Sequence, residues 1–260
     1  MIHHLADVHP NAQLGENVTI EPFTSIAEDV TIGDNTWIGP NATIMNGARI
    51  GSNCRIYPGA VVSAEPQDLK YEGEPSTTTI GDHTIIRECV TVNRGTKLDR
   101  NDTKVGNNCV LMAYTHIAHD CIINNDVILA NGVQMAGHVH IGEYAFVGGT
   151  TAIHQFVKIG AHTMISGGSL VRKDVPPFVT AARDPLSYAG INSIGLRRRG
   201  FTTEKIREIQ DIYRIFYLSG LNNTDALDKI KMELNPSAER DDIIRFIENS
   251  NRGMMRGINE

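Results

Sequence analysis

Ile32-Gly33-Asp34-Asn35-Thr36-Trp37 is followed by Ile38-Gly39-Pro40-Asn41-Ala42-Thr43, and that by Ile44-Met45-Asn46-Gly47-Ala48-Arg49. Each group of six opens on isoleucine, turns on Gly, Asn, Asp or Pro, and sets a small residue four places after the isoleucine. Outward from this stretch the ruler reaches back to Val8 and forward to Val62. It resumes at Ile80, Ile86 and Val92, then runs unbroken from Val105 to Val171. All 25 anchors are Ile, Val, Leu or Met, and the residue four places on is Ala, Val, Thr, Ser or Cys except at Pro66. No helical period gives six and a plain strand alternation gives two, so the pattern is a structural repeat.

Gly, Asn and Asp accept the tight backbone of a corner, and β-branched residues suit short strands. Three units close one triangular coil of 18 residues, and successive coils stack as parallel strands about 4.8 Å apart. A single coil cannot bury its aliphatic column, so many must stack and the ends need covers. The pattern resembles the hexapeptide-repeat family, whose fold is an all-β left-handed parallel β-helix. The hand comes from that resemblance, because the general preference for right-handed crossovers would give the opposite.

Two stretches break the ruler: the polar segment 64–79, with Pro66, Gly73 and Pro75, and a seven-residue insertion over 98–104. Both read as loops leaving the prism, and long loops in compact folds commonly carry function. The prism is expected to end near Val175-Pro176-Pro177, where two prolines cannot donate to a ladder. Beyond it the spacing turns helical. Ile206, Ile209, Ile212, Tyr213 and Phe216 form one stripe, Leu227, Ile230 and Leu234 a second, and Ile243, Ile244 and Ile247 a third. Gly220 and Pro236 fall where helices should stop. The expected organisation is a β-helix over 1–189 followed by a small helical domain over 190–260.

With 41% hydrophobic and 21% charged residues, the 260-residue chain reads as one soluble unit. Met1-Ile2-His3-His4-Leu5 has no apolar signal core and no run is long enough to span a bilayer, so a cytoplasmic location is expected. Cys54, Cys109 and Cys121 occupy inward slots and Cys89 is one residue short of one, so all four are expected to be packing residues. A net charge of −6 argues against general nucleic-acid binding. The basic cluster Arg197-Arg198-Arg199 is a local exception, either a solvated helix face or an anion contact.

His116, His119, His138, His140, His154 and His162 all lie in the second half of the prism. The 18-residue coil stacks His119, Gly137 and Gln155 in one column, and Asp120 under His138 in the next. His119 and Gly137 are then about 4.8 Å apart along the axis. A histidine beside a free backbone N–H is what acyl transfer requires: the imidazole takes a proton from the incoming hydroxyl and the N–H stabilises the oxyanion. Asp120 is a candidate to hold the imidazole tautomer. The same histidines also allow a metal reading, as in hexapeptide-repeat carbonic anhydrases.

Thr115-His116-Ile117-Ala118-His119-Asp120-Cys121, Ala136-Gly137-His138-Val139 and Ala152-Ile153-His154-Gln155-Phe156 resemble the UDP-N-acetylglucosamine O-acyltransferase family of lipid A biosynthesis. So do the loop Gln67-Asp68-Leu69-Lys70-Tyr71-Glu72-Gly73-Glu74-Pro75 and the tail from Gly190-Ile191-Asn192 through Arg198-Arg199-Gly200-Phe201. The resemblance covers essentially the whole chain. It implies transfer of an (R)-3-hydroxyacyl group from acyl carrier protein to the 3-hydroxyl of UDP-N-acetylglucosamine, in a homotrimer with sites between subunits and with no metal or other cofactor. By motif it makes His119 the base, Asp120 its partner and Gly137 the oxyanion donor. Gln67, Asp68, Lys70, His116 and His138 would line the sugar and acyl end, and His154 the acyl groove. Gln155, Asn192, Arg198 and Arg199 would hold the nucleotide. Gly167, followed by Gly168, stands where the family sets acyl length, and a glycine leaves the groove open to a longer chain. Ile194, where relatives commonly carry an acid, and Arg183-Asp184-Pro185-Leu186 depart from the family pattern.

A hexapeptide acetyltransferase using acetyl-CoA shares the prism and the base, but leaves the 67–75 loop and the tail unexplained. The N-acylating sister enzyme of the same pathway carries an extra N-terminal domain, which a repeat starting at Val8 leaves no room for. A non-catalytic β-helix would show a threonine ladder on its outside, whereas these threonines mostly take inward slots.

Overall fold

The structure is a computed structural model that describes residues 1–257; the last three residues of the expected helical unit lie outside the described residues. The six-residue ruler becomes short strands on three parallel sheets, and the chain visits them in rotation. Face one has nine strands, from Asp7–Val8 to Leu170–Val171. Face two has eight, from Gln13–Leu14 to Lys158–Ile159. Face three has ten, from Thr19–Ile20 to Ser187–Ile191. The register is one coil per step, as in Asp7↔Ser25 and Val8↔Ile26. Across the insertions it lengthens to Val61↔Thr91 and Thr91↔His116.

The anchors point inward. Ile20, Ile38, Ile56, Ile86, Leu111, Ile117, Ile123 and Leu129, drawn from all three faces, are fully buried in the aliphatic core. The small residue four places on closes the space beside each, and at several coils it is a threonine whose hydroxyl donates to a carbonyl of the next coil: Thr24 to Gly39, Thr36 to Gly51, Thr115 to Ala130. Corners pass through left-handed backbone, held mostly by Asn, Asp and His, which tolerate it better than other non-glycine residues. Truncating one anchor, such as Ile117 to alanine, would cost about 2–5 kcal/mol through lost burial and a cavity.

The first loop is shorter than the sequence suggests, and the second begins and ends earlier. Ala64 pairs with Asn93, and Thr77–Ile80 pairs in full with Asp102–Val105, so β-branched residues at the loop feet extend the ladder. The excursions are therefore 65–76 and 94–101. Both leave from the corner between face one and face two, on two successive coils.

Pro176 and Pro177 do not end the sheet. Val179–Ala182 still pairs in parallel with Met164–Ile165, and Ser187–Ile191 returns antiparallel. The prolines sit in a corner, where no ladder N–H is required, and their carbonyls accept from Thr163 Oγ1 and Tyr213 Oη. Cys54, Cys109 and Cys121 are buried and free, whereas Cys89 is exposed at a left-handed corner and packs against no core. Helices α1 (Ser193–Arg198), α2 (Thr203–Leu218), α3 (Asn223–Glu233) and α4 (Ala238–Glu248) follow. The stripes of α2 and α4 are buried as expected, while Leu234 of the second stripe falls just past α3 and is half-buried. Among the described residues no helix is long and apolar enough to cross a membrane.

Candidate active site

His119 stands two residues after the anchor Ile117, at the corner from which both loops leave. The coil stacking is as the repeat dictates: His138 N donates to His119 O at 3.1 Å, and Phe156 N to Gly137 O at 3.2 Å. His119, Gly137 and Gln155 therefore form one corner column. The imidazole lies against Gly137. A methyl group built on that glycine would sit 2.6 Å from His119 Cε1 and 2.8 Å from Nε2. The Gly137 N–H has no acceptor among the described residues.

Asp120 answers the tautomer question. Its Oδ2 lies 2.8 Å from His119 Nδ1, so Nδ1 carries the proton and Nε2 presents a lone pair. The carboxylate is fully buried. Its Oδ1 accepts from Thr96 N at 3.0 Å, its Oδ2 from Thr96 Oγ1 at 2.7 Å, and its own N–H donates to Thr103 Oγ1 at 2.7 Å. Burial pushes the carboxyl up, but the hydrogen bonds from His119 and from the Thr96 amide and hydroxyl outweigh it and hold it below its ordinary value. An ionised, immobile acceptor behind a histidine is the arrangement that stabilises an imidazolium once it forms.

The loops cover this corner. Asp68, in the first excursion, brings Oδ2 to 4.0 Å from His119 Nε2. From the second, Asp99 Oδ2 lies 3.0 Å from His138 Nδ1, and the His138 ring stacks on Phe156 and meets His119 edge-on. Arg94 ties the loops together, bonding the Tyr71 hydroxyl through Nε and Nη2, while Lys97 pairs with Glu72. Arg94, Tyr71, Thr96, Asp99 and Phe156 were not marked in the sequence. Only the positions of Tyr71 and Asp99 inside ruler-breaking stretches hinted at them.

The remaining expected residues divide into two groups. His116 lies on the same face, its Nδ1 2.7 Å from Thr91 Oγ1, and burial lowers its pKa and keeps the ring neutral. Face one continues outward as His116↔Gln134, Gln134↔Ala152 and Ala152↔Leu170. His154 lies beside that row, and Gly167 occupies the corner entering it, where an added methyl would meet Gly149 O at 3.1 Å. Gln67 and Lys70 are exposed on the first loop, and Gln155 is exposed in the corner column. Asn192, Arg198 and Arg199 are elsewhere. They border a cavity of about 640 Å³ over face three, with Ile128, Phe146, Met164 and Ile194. One chain does not bring them to His119. Asn192 caps α1, accepting from Gly195 N and donating to His162 O, and Arg199 donates to Tyr144 O at 2.9 Å and lies over its ring.

His119, Asp120 and His138 also offer ligand atoms within 4.8 Å of one another. Asp120 accepts from Thr96 and His119, and Nδ1 of His138 faces Asp99, so each member of the set already has a hydrogen-bond partner within the protein.

A bacterial transferase hexapeptide model matches residues 29–64 and 102–137, and the model for UDP-N-acetylglucosamine O-acyltransferase, domain 2, matches residues 174–255. The acyl-(acyl-carrier-protein)–UDP-N-acetylglucosamine O-acyltransferase of Janthinobacterium sp. (strain Marseille) is 48% identical over 98% of this chain and 99% of its own. Among solved structures, the UDP-N-acetylglucosamine acyltransferase of Bacteroides fragilis 9343 superposes with a TM-score of 0.97 at 50% identity, over 98% of this chain and 100% of that one. The Francisella novicida enzyme gives 0.97 at 40%, over 100% and 95%. At this identity over nearly the whole length of both chains, the chain belongs to the UDP-N-acetylglucosamine O-acyltransferase family.

Proposed function

We propose that this enzyme moves an (R)-3-hydroxyacyl group from acyl carrier protein to the 3-hydroxyl of UDP-N-acetylglucosamine, the first step of lipid A biosynthesis, in the cytoplasm. The observation that carries the reading is the His119–Asp120 pair lying against a glycine whose N–H is unused. His119 Nε2 removes the proton from the sugar hydroxyl as its oxygen attacks the thioester carbonyl. The resulting oxyanion is stabilised by the Gly137 N–H. Collapse breaks the carbon–sulfur bond, and the leaving thiolate takes the proton back from His119. Asp120 stays ionised throughout and favours the imidazolium between the two transfers. No metal or cofactor enters these steps.

The site is completed by a second copy. Face three carries an outward row Ile85, Val110, Ile128, Phe146 and Met164, paired strand to strand. Such an apolar row on a straight prism is covered economically by cyclic association, here as a trimer. Asn192, Arg198 and Arg199 border the same face, so a neighbour's arginines would meet the nucleotide diphosphate at this chain's His119 corner. Gln67, Asp68, Lys70, His116 and His138 would surround the sugar and the carboxyl end of the acyl chain, with Gln155 toward the nucleotide. Ala136 and Ala152 leave room for the hydrocarbon on face one, toward Gly167. For experiments we treat residues 1–189 and 190–260 as the two units of each chain.

The test is transfer from a series of (R)-3-hydroxyacyl carrier proteins to UDP-N-acetylglucosamine, wild type beside His119→Ala. A loss of about a hundredfold or more in the variant supports the base. Activity with acetyl-CoA and none with any carrier-bound chain would sink the proposal.

A further inference from the structure

The C-terminal segment after α4 does more than close the prism. Asp174, on the last coil, is fully buried, and no step above uses it. Its carboxylate accepts from Lys158 N at 2.7 Å and from Ser250 Oγ at 2.7 Å. Its backbone pairs with the same segment, Asp174 N to Gly253 O and Met255 N to Asp174 O, both at 2.9 Å. Lys158 Nζ adds a bond to Asn249 O at 2.8 Å. A buried carboxylate thus fastens residues 249–255 across the end of the prism. The fastened segment carries Arg252, whose Nη2 reaches His154 Nδ1 at 3.1 Å, 98 residues away in sequence.

That contact dictates a tautomer. A guanidinium has five donors and no acceptor, so a short approach to Nδ1 requires the lone pair there and the proton on Nε2. The rival arrangement, Nδ1–H donating to Gln155 O, has a separation of 3.2 Å. It would set two donors facing each other at Arg252, whereas the first arrangement is a charge-assisted bond.

We propose that Arg252 is a positioning residue that holds His154 with its Nε2–H outward, as a donor to an acceptor oxygen on the acyl donor. This rests on the reading of face one as the acyl-donor groove. His154 lies two coils from His119, roughly 9.6 Å along the axis. The hydrocarbon, which the row of Ala136 and Ala152 would lead toward Gly167 at the opposite edge of face one, offers no acceptor, while the amide carbonyls of the carrier's pantetheine arm, running along the corner that holds His154, do. The occupant of the Nε2–H is therefore an amide carbonyl of that arm.

Two readouts test it on the intact protein. In 15N-histidine-labelled enzyme, with His154 assigned by loss of its signals in His154→Gln, the nitrogen shifts should report the Nε2–H form, reverting to a mixture in Arg252→Gln. Kinetically, Arg252→Gln should raise KM for the acyl carrier protein donor about three- to tenfold, the worth of one hydrogen bond, with KM for UDP-N-acetylglucosamine unchanged. Arg252→Lys should recover part of the loss. A wild-type Nδ1–H form overturns the tautomer assignment. An unchanged donor KM, or an equal rise in both KM values, overturns the recognition role. Absence of any transfer by wild type would instead refute the proposed reaction, and the nitrogen spectrum would still decide the Arg252 contact.

Discussion

Gly137→Ala tests the site with one methyl group. Gly137 does not use left-handed backbone, so alanine costs nothing in conformation there. The whole effect is steric. The new Cβ would lie 2.6 Å from Cε1, 2.8 Å from Nε2 and 3.2 Å from Nδ1 of His119. Carbon atoms pack at about 3.5–4.0 Å, so the ring must retreat by roughly 1 Å. It cannot do so and keep its 2.8 Å bond to Asp120, because Asp120 is pinned by Thr96 and Thr103. A base displaced by about 1 Å loses on the order of a hundredfold in rate. The fold should survive, since the imidazole edge is partly open to solvent. The assay is kcat for acyl-carrier-protein-dependent transfer, beside a thermal melt. A variant that melts normally and keeps kcat within threefold of wild type would show that the imidazole is not the base in this pose.

Three further outcomes are expected. Thr96→Val removes the hydroxyl donor to Asp120 and should cost about 2 kcal/mol, read as a melting midpoint lower by roughly 4–8 °C, with kcat falling about tenfold; unchanged melting would mean that the bond contributes nothing. His162, stacked between Tyr144 and Phe178, has its pKa lowered to about 4, by burial first and then by Arg199. The unfolded chain therefore binds a proton below about pH 6.5 that the folded one takes up only near pH 4, so stability falls with pH across that window, by about 3 kcal/mol at most. Urea titrations at pH 7 and pH 4.5 should show the loss, and His162→Phe should remove most of it. Gly167→Met should shift the preferred donor to a shorter chain, each methylene excluded costing about 0.8 kcal/mol or fourfold in kcat/KM. An unaltered chain-length profile would detach Gly167 from the groove.

The regular part of the molecule was legible because each anchor repeats one local choice of inward aliphatic, turn residue and small inward residue. The corner column of His119, Gly137 and Gln155 followed from counting. What sequence could not supply is seen at Thr96. It occupies the same inward slot as Thr24, Thr36 and Thr115, each of which donates to a carbonyl fifteen residues on. At Thr96 the insertion interrupts that pattern and the hydroxyl turns to the Asp120 carboxylate instead. The residue type is identical, and only the broken coil distinguishes a packing threonine from one that holds the acid. The same limit applies to Pro176-Pro177, where the chain turns a corner and resumes pairing, and to Cys89, where a shift of one place moves the thiol from core to surface.

A repeat offers every coil the same surface, so specificity has to come from its interruptions. Here both interruptions leave one corner, on the two coils directly before the one that carries His119, and each returns with an acid: Asp68 beside Nε2 and Asp99 on His138. The stacked coils give the distance between base and amide by their spacing alone, with no adjustable side chain between them. In the proposed reaction the loops would add the groups that tell one acceptor from another, and they are clamped to each other by Arg94 and Tyr71. Rigid catalytic spacing and adaptable recognition are thus carried by different parts of the same corner. It follows that loosening the clamp, as in Tyr71→Phe, should raise the acceptor KM and leave kcat at saturation nearly unchanged, whereas any change to the column acts on kcat.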